Sequence, residues 1–454
     1  MNFSHYFKPY FPEERLIYHE KLSQDESGIQ GNKESVAIVV RDEEEIKKIL
    51  EIATLHHLTL IVRGAGSGKS GGVVPVVPSV ILDISKMNAI LEIDEDNQIA
   101  VVQPGVITKY LKDALEEKGW FYPPDPASMA YSTIGGNVAE NAGGPSAIKY
   151  GVTGRYVFGI EGFLIDGTPF KFGGKCHKDV AGYDLLRCVI GSEGTLVIMT
   201  KIYLNFIPKP ESTVLIEAAF PSFQEAIQTL TQIRRLKIQP SAAEFIDKRC
   251  LDAVSILKQQ EKLSSSHQAF LLIELDGSVV SLEQEKQTLT SYLNKHQYAY
   301  QVYEKQEDQK NQWQKRQSIS EALKYISQKK KSHDVSVPPS KVAQYMSFLD
   351  DMNQKSHLQI LGYGHLGDGN IHVNILQLPT VPVAEEEWRL IEDELFKTAV
   401  QLGGSISGEH GIGLSKKEAL TYMFSQTELH LFKQLKQMFD PQRRLNPNKI
   451  IDLK

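Results

Sequence analysis

Residues 122–154, YPPDPASMAYSTIGGNVAENAGGPSAIKYGVTG, form the stretch around which the rest of the chain is organised. Glycine and proline recur along it, and its apolar residues are too scattered for a buried helix or strand, so its composition predicts a long loop. It nevertheless has more aromatic and aliphatic residues than a solvated linker. A loop this long in a compact domain is usually functional, and the glycine pairs at 135–136 and 143–144 allow the backbone to approach a flat or anionic ligand.

The size and composition of the chain restrict its class. It has 454 residues, of which 41% are apolar and 23% charged, and a formal net charge of −6. Because this length exceeds the size at which one core keeps growing, two domains are expected. The mild acidity argues against a nucleic-acid-binding face and favours small-molecule partners. With no apolar leader, no window of about 20 apolar residues and no disulfide or metal spacing at Cys176, Cys188 and Cys250, the chain is expected to be soluble and cytoplasmic.

A second glycine-rich segment, RGAGSGKSGG at residues 63–72, follows a predicted helix capped by Asp42 and a short strand over residues 59–62. It is not a Walker A loop, because Arg63 stands where that motif requires glycine. It is not a dinucleotide fingerprint either, because prolines and a strand follow it where that motif would open a helix. The remaining interpretation is a turn whose backbone N–H groups bind an anion such as a pyrophosphate.

The pattern of the chain changes near residue 210. Short predicted strands at 100–103, 159–164 and 170–172 precede a third glycine-rich loop, GSEGT at 191–195. Beyond residue 210 the sequence predicts a helix capped at Ser222, strands near 270–274 and 298–303, a helix over 281–295 and a long helix over 309–330. This alternation predicts an antiparallel sheet with helices on one side.

The second domain carries a histidine-rich hairpin, GYGHLGDGNIHVN at residues 362–374. Strands are predicted on either side of its glycine turn, which places His365 and His372 at opposite ends of the turn. His372 and Asn374 share one face of the second strand. The segment SISGEHGIG follows at 405–413. Two histidines and a carboxylate are common ligands of a catalytic divalent metal, but the residues alone leave hydrogen-bonded loop histidines open as the alternative.

Six blocks, RGAGSGKSGG, PPDPAS, TIGGNVAENAGG, KYGVTG, DVAGYDL and GSEGTL, resemble in order the FAD-binding domain of the vanillyl-alcohol oxidase and p-cresol methylhydroxylase superfamily. Within it, the chain is most similar to the group of glycolate oxidase subunits, D-lactate dehydrogenases and D-2-hydroxyglutarate dehydrogenases. The resemblance implies an α+β two-domain flavoprotein. Residues 1–210 would form an FAD-binding domain of two α/β subdomains, 211–405 a substrate cap domain with the metal site, and 406–454 a segment returning to the FAD domain.

The resemblance also implies which residues contact the cofactor. Family members that bind flavin covalently often carry a histidine in the glycine-rich loop that corresponds to residues 63–72. No histidine lies within those residues here, so FAD is expected to be non-covalent. Lys69, Val197 and Asn448 depart from the family pattern, and Asn448 replaces a usual glycine. The expected FAD contacts are Arg63, Gly64, Ala65, Gly66, Ser67, Gly68, Gly71, Gly72, Pro124, Asp125, Ser128, Thr133, Gly135, Gly136, Asn137, Asn141, Gly143, Gly144, Gly191, Glu193 and Gly194.

The same resemblance assigns the chemistry. His365, His372 and Glu409 would bind a divalent metal, expected to be zinc with manganese or iron as alternatives, and His410 would be the general base. The expected substrate contacts are Arg316, Asn374 and Lys331. The implied activity is oxidation of a D-2-hydroxy acid such as D-lactate, glycolate or D-2-hydroxyglutarate to the 2-oxo acid.

Several alternatives stay open at the level of sequence. A non-catalytic, flavin-binding or assembly subunit of a glycolate oxidase-like complex is the competing interpretation. The electron acceptor could be a quinone, an electron-transfer flavoprotein or an iron–sulfur subunit. A homodimer and peripheral association with the membrane through a partner are equally open.

Overall fold

The computed structural model describes residues 3–18, 20–262, 266–379 and 382–452. Two units divide the chain. Unit 1 comprises Met1–Gly143, Val152–Lys209 and Glu409–Lys454, and unit 2 comprises Gly144–Gly151 and Pro210–Gly408. The sequence predicts boundaries at 210 and 405, with residues 144–151 in the first domain. The structure assigns that segment to unit 2.

The strands, numbered in chain order, are β1 (Leu16–Ile17), β2 (Val36–Val39), β3 (Leu60–Arg63), β4 (Val80–Asp83), β5 (Ile90–Asp94), β6 (Ile99–Val102), β7 (Trp120–Phe121), β8 (Val157–Phe163), β9 (Pro169–Gly173), β10 (Ile198–Asn205), β11 (Ile207–Pro208), β12 (Ser212–Phe220), β13 (Ala242–Asp247), β14 (Ala269–Gly277), β15 (Ala299–Tyr303), β16 (Lys329–Ser336), β17 (Gln359–His365) and β18 (Asn370–Gln377).

The helices are α1 (Ser4–Phe7), α2 (Glu43–Leu55), α3 (Thr108–Glu116), α4 (Ile134–Glu140), α5 (Ala147–Tyr150), α6 (Leu185–Val189), α7 (Phe223–Arg235), α8 (Lys248–Leu257), α9 (Val279–Lys295), α10 (Gln306–Gln317), α11 (Ile319–Ile326), α12 (Val342–Lys355), α13 (Glu385–Gln401), α14 (Leu420–Met423) and α15 (Gln426–Phe439). Short 3₁₀ turns lie at Glu13–Arg15, Glu20–Ser23, Thr153–Arg155 and Pro339–Lys341.

Unit 1 contains two larger sheets. The first has the order β1-β2-β4-β3, with β4 parallel to both β2 and β3. The second is antiparallel, with the order β5-β6-β10-β8-β9. Helix α2 buries Ile46 and Ile49 against the first sheet, and the Asp42 side chain accepts a hydrogen bond from the Glu45 N–H at 2.9 Å. The predicted cap at Asp42 is therefore confirmed.

The C-terminal segment packs within unit 1. Leu445 forms a parallel bridge with Leu60 on the edge of β3 that faces away from β4, and the Asn446 N–H donates to the Leu60 carbonyl at 2.7 Å. Asn448 has φ +62°. This left-handed conformation explains why asparagine can replace glycine there, because asparagine tolerates it better than most residues.

The prediction of one continuous loop over residues 122–154 is wrong, because helix α4 forms inside it. Thr133 caps this helix by accepting a hydrogen bond from the Gly136 N–H at 3.2 Å. Ile134 and Val138 are buried, and a Cβ at Gly135 would lie only 2.7 Å from Cβ of Pro104. Capping and burial thus stabilise a helix whose glycines are poor helix formers.

The end of the same stretch, α5, belongs to unit 2 because it is anchored to β14. The Tyr150 hydroxyl donates to Asp276 Oδ2 at 2.6 Å, and Lys149 forms an ion pair with the same carboxylate. Asp276 is buried. A buried carboxylate needs such partners, so this interaction determines which unit holds residues 144–151.

Unit 2 contains one seven-stranded sheet with the order β15-β12-β14-β13-β17-β18-β16. Every neighbouring pair is antiparallel. The α+β class and the antiparallel sheet are confirmed.

Helices pack against both faces of this sheet, so the expectation of helices on one side is wrong. Leu361 and Tyr363 of β17 pack with Cys250 of α8 and Ile319 of α11. The residue between them, Gly362, faces the other way, where a Cβ would lie 2.9 Å from the sulfur of Met346 in α12. Successive strand residues alternate between faces, and both faces of β17 are apolar enough to require cover.

The long helix predicted over 309–330 is also interrupted. Helices α10 and α11 meet at Ser318, and the chain then enters β16 at Lys329. Lys329, Lys330 and Lys331 pair with Gln377, Leu376 and Ile375 of β18. Lysine is a good helix former, but the backbone hydrogen bonds of a strand pair outweigh that weak preference.

Candidate functional site

A deep cleft in unit 1 is formed by the glycine-rich segments. It has about 1340 Å³ of space, including the part open to solvent. Fourteen of the predicted FAD contacts line it: Gly64, Ala65, Gly66, Ser67, Gly68, Gly72, Ser128, Thr133, Gly135, Gly136, Asn137, Gly143, Glu193 and Gly194. The sequence blocks that are far apart in the chain therefore meet at one cavity.

The glycines of this cleft fit close approach by a ligand. A Cβ at Gly68 would have no protein atom nearer than Asp25 Oδ2 at 3.7 Å, and a Cβ at Gly194 none nearer than Asn446 Nδ2 at 4.0 Å. The φ of Gly68 is not positive, so neither backbone conformation nor packing requires glycine there. Space left beside the backbone on a cleft wall suits a flat or anionic group such as FAD.

Seven of the predicted FAD contacts do not line the cleft. Some of them support its walls: Arg63 Nη1 donates to the Gln24 carbonyl at 2.7 Å, and Asn141 Oδ1 accepts from the Gly154 N–H at 2.8 Å. Gly144 belongs to unit 2. The others are Gly71, Pro124, Asp125 and Gly191. Arg63 and Asn141 thus shape the loops rather than the cavity surface.

Glu193 lines the cleft, but its carboxylate is used by the protein. Its two oxygens accept hydrogen bonds from the backbone N–H groups of Ile412 and Gly413, each at 2.7 Å. Burial raises the pKa of Glu193, opposed by those two hydrogen bonds. Glu193 therefore holds the segment that immediately follows His410.

Glu409 and His410 line the same cleft. Glu409 Oε1 lies 3.9 Å from His410 Nε2, and a Cβ at Gly143 would lie 3.2 Å from Glu409 Oε2. The predicted base is thus on the wall of the cavity that the predicted FAD loops form. Both side chains are mostly buried.

A pair of histidines lies on the sheet of unit 2. His365 ends β17 and His372 lies in β18, and the two Nε2 atoms are 3.3 Å apart. Two Zn–N bonds of about 2.0–2.1 Å at a tetrahedral angle of about 109° would separate their nitrogens by roughly 3.3–3.4 Å. The spacing of the pair therefore fits two ligands of one tetrahedral divalent ion.

Glu244 of β13 orients this pair and was missed by the sequence analysis. Its Oε1 lies 2.5 Å from His365 Nδ1, so His365 donates from Nδ1 and directs Nε2 towards His372. A carboxylate on the second nitrogen of a histidine is typical of metal ligands. The available signal was a glutamate within the apolar strand AAEFID, fully buried in the structure.

Arg316 also reaches Glu244. Its Nε donates to Glu244 Oε2 at 2.7 Å, and its guanidinium carbon lies 4.5 Å from the centre of the Tyr363 ring. Burial would raise the pKa of Glu244, but His365 and Arg316 hold it at about 2. The structure thus brings a predicted substrate contact beside the predicted metal ligands.

The other two predicted substrate contacts lie on opposite faces of the sheet. Asn374 shares the face of His372 and accepts a hydrogen bond from the Ser332 hydroxyl at 2.7 Å. Ser332 lies in β16 directly opposite Asn374. Lys331 is the residue before Ser332 and so points to the other face, where its Nζ lies 2.8 Å from Glu392 Oε2. The assignment of Lys331 to the substrate site is therefore corrected, because strand register places it away from Arg316 and Asn374.

The end of unit 2 is tied to the strand next to His372. The Gly408 N–H donates to Asp334 Oδ2 at 2.7 Å, and Asp334 is the register partner of His372. A Cβ at Gly408 would collide with the Asn370 side chain. Glu409 follows Gly408 directly in the sequence, and its role as a metal ligand stays a prediction.

Comparison with known proteins identifies the family. Residues 35–173 match the family model described as "FAD binding domain", and residues 209–450 match "FAD linked oxidases, C-terminal domain". The chain belongs to the FAD-linked oxidase family. It is thus a flavin-dependent oxidoreductase, as its cleft and sequence blocks predict.

Relatives in the FAD-linked oxidase family share most of the chain. It is 38% identical to the glycolate oxidase subunit GlcD of Bacillus subtilis, covering 96% of this chain and 92% of that protein. It is 33% identical to a D-lactate dehydrogenase of Archaeoglobus fulgidus, over 92% and 91%. It is 30% identical to a D-2-hydroxyglutarate dehydrogenase of Stutzerimonas stutzeri, over 92% and 90%. The predicted group is confirmed.

The fold is shared with a solved structure. p-Cresol methylhydroxylase with bound substrate matches with a TM-score of 0.79 at 17% identity, covering 99% of this chain and 96% of that one. Within the described parts of this FAD-linked oxidase, no helix is long and apolar enough to cross a membrane. Its three cysteines are free thiols.

Proposed function

We propose that this chain oxidises a D-2-hydroxy acid to the corresponding 2-oxo acid, with non-covalent FAD in the unit 1 cleft as the hydride acceptor. Relatives over nearly the whole chain are named for glycolate, D-lactate and D-2-hydroxyglutarate. The observation that carries the proposal is the histidine pair held by Glu244 beside Arg316 and Asn374. A cofactor cleft alone would suit many flavoproteins, whereas this cluster suits a hydroxyl and a carboxylate on one small molecule.

The histidine pair supports a metal at the substrate. His365 and His372 would bind it through Nε2, and we propose Glu409 as the third ligand. Zinc, manganese and iron all accept histidine and carboxylate ligands. When bound, such an ion would lower the pKa of the substrate hydroxyl as it does for water, and FAD would accept the hydride.

The polar residues around the pair suit the rest of the substrate. The Arg316 fork is partly occupied by Glu244, and its remaining N–H groups can bind a carboxylate. The stacking of Arg316 on Tyr363 holds the fork in place. Asn374 lies on the same face and offers an amide to the hydroxy acid. These contacts would orient the substrate carbon, which is the contribution of the protein to hydride transfer.

His410 is the proposed general base. Histidine is the side chain most often used as a general base in enzymes. His410 would take the proton from the substrate hydroxyl, and Glu193 keeps the following residues, Ile412 and Gly413, in place. We propose the adjacent Glu409 for the metal, so that one short segment would serve both the metal and the proton.

The first experiment combines a spectrum with turnover. We expect flavin absorbance in the purified protein and reduction of an artificial dye with D-lactate, glycolate or D-2-hydroxyglutarate, but not with L-lactate as the matched control. A protein with no flavin absorbance after FAD addition would refute the cofactor proposal.

A second candidate is a subunit that needs partners, because the 38% identical relative is named a subunit. The dye replaces the natural electron acceptor, so a catalytic chain should turn over alone with it. Bound flavin with no reduction across a broad panel of D-2-hydroxy acids would favour the subunit interpretation.

A further inference from the structure

The segment of residues 24–32 precedes the region that matches the FAD-binding model, which begins at residue 35. It contains neither helix nor strand. Even so, Asp25 lines the cleft with the cofactor loops, and its Oδ2 atom is buried with no hydrogen-bond partner among the described residues. This segment therefore forms part of the cavity wall although the family model does not include it.

Glu26 joins this segment to two of the segments that line the cleft. Lys69, in the glycine-rich segment at residues 63–72, forms an ion pair with Glu26 Oε2. The Tyr131 hydroxyl donates to Glu26 Oε1 at 2.5 Å. Both Lys69 and Tyr131 line the cavity. One carboxylate thus connects two cleft-lining residues that are 62 positions apart in the chain.

Three further hydrogen bonds hold the segment against residues 63–75. The Glu26 N–H donates to the Gly68 carbonyl at 2.9 Å, and the Gln24 carbonyl accepts from Arg63 Nη1 at 2.7 Å. At the far end, the Asn32 N–H donates to the Pro75 carbonyl at 2.7 Å. A segment held by a few hydrogen bonds and no packed helix or strand opens more readily than the sheets around it.

The charges at Glu26 favour its ionised form. Burial would raise its pKa, but the hydrogen bonds from Lys69 and Tyr131 outweigh burial and lower it. Lys69 is also one of the positions at which this chain departs from the family pattern. The contact at Glu26 is therefore a property of this chain that the family resemblance did not supply.

We propose that residues 24–32 are a strap that retains FAD in the cleft, and that Glu26 fastens it to Lys69 and Tyr131. The strap rests on the proposed use of this cleft for FAD. Release of the cofactor would require the strap to open, so weakening the fastening increases the rate of release without removing any of the cofactor loops. Asp25 would then face the cofactor as an acceptor for one of its hydroxyl or amino groups.

The test measures FAD release from the loaded full-length protein. Release is followed as the activity that an excess of an FAD-dependent apoenzyme gains when it captures the released FAD. We expect Glu26→Gln to release FAD about fivefold faster, and Lys69→Met and Tyr131→Phe about two- to threefold faster, as befits partly exposed contacts. Adding Lys69→Met to Glu26→Gln should have no further effect.

A matched control is available in the same unit. Glu95 accepts hydrogen bonds from Lys118 at 2.7 Å and from the Trp120 indole at 3.0 Å, with similar exposure, and it does not line the cleft. Glu95→Gln should leave FAD release unchanged. Thermal unfolding of the FAD-free variants checks that each one folds.

Salt provides an independent readout. Raising the ionic strength from about 0.05 M to about 0.5 M should speed release from the natural protein and much less from Glu26→Gln, since salt screens the exposed pair.

Equal rates of FAD release from Glu26→Gln and the natural protein would overturn the strap. An added effect of Lys69→Met in the Glu26→Gln background would overturn it too, because Lys69 would then act on the cofactor directly. A protein that binds no FAD would instead fail the proposed function at the spectrum.

Discussion

Replacing Glu244 by glutamine tests whether the histidine pair binds a metal. Glu244 is fully buried, and its carboxylate holds His365 by a bond of 2.5 Å that fixes which nitrogen faces His372. Glutamine keeps the size and an acceptor oxygen but loses the charge, which accounts for about half the strength of such a bond. Losing a carboxylate behind a histidine ligand costs about 10- to 100-fold in metal affinity, or about 1.4–2.8 kcal/mol.

We therefore expect Glu244→Gln to bind Zn²⁺ at least tenfold more weakly than the natural protein. Affinity is measured by competition with a chromophoric chelator on the FAD-loaded protein, and stoichiometry by elemental analysis. Arg316 loses its partner in the same variant, so thermal unfolding is measured in parallel and the titration is made well below the transition.

Glu274→Gln is the matched control. Glu274 lies on the same face of the sheet, and its carboxylate binds Trp313 Nε1 at 3.0 Å and the Ser241 hydroxyl at 2.9 Å instead of a histidine. The control should keep the natural Zn²⁺ affinity. Unchanged affinity in Glu244→Gln, or an equal loss in Glu274→Gln, would show that the carboxylate does not act through His365.

Three further predictions address the cleft and the base. His410→Ala should abolish flavin reduction by substrate while FAD and metal remain bound, whereas His372→Ala should lose the metal as well. Stopped-flow absorbance measures flavin reduction and elemental analysis measures the metal. If His410→Ala reduced its flavin at the rate of the natural protein, the base would be left unassigned. Gly68→Ala should weaken FAD binding by about tenfold or more while the thermal transition of the FAD-free protein hardly moves, because the new methyl meets no protein atom within 3.7 Å and occupies ligand space; equal FAD affinity in a fluorescence titration would contradict this. Acid precipitation should release all flavin into the supernatant, and yellow pellets would show covalent attachment.

Local patterns in the sequence predicted several features correctly. The cap at Asp42 and the left-handed position at Asn448 depend on residues close together in the chain, and both are as expected. Strand alternation likewise placed His372 and Asn374 on one face. The glycine blocks, the histidine hairpin and the family they indicate could all be identified because each is a short stretch with its own chemistry.

Other features follow from contacts between distant residues. Glu244 meets His365 across 121 positions, so no local pattern links them. Lys331 has the right charge to bind a carboxylate, but the register of β16 against β18 places its side chain on the opposite face of the sheet. A change of register by one residue would reverse that face. Helix α4 forms in a glycine-rich stretch because Thr133 caps it and Gly135 packs closely against Pro104.

The sequence by itself determined the family, the glycine-rich blocks and the histidine hairpin, since those residues carry their chemistry in adjacent positions. Only the tertiary structure decided which carboxylate orients His365, which unit holds residues 144–151, and that Glu26 contacts both Lys69 and Tyr131 at the cleft. Each of these depends on burial and on side chains that folding brings together. Glu244 and Glu26 have their partners in distant parts of the chain, so their contacts form only in the folded protein.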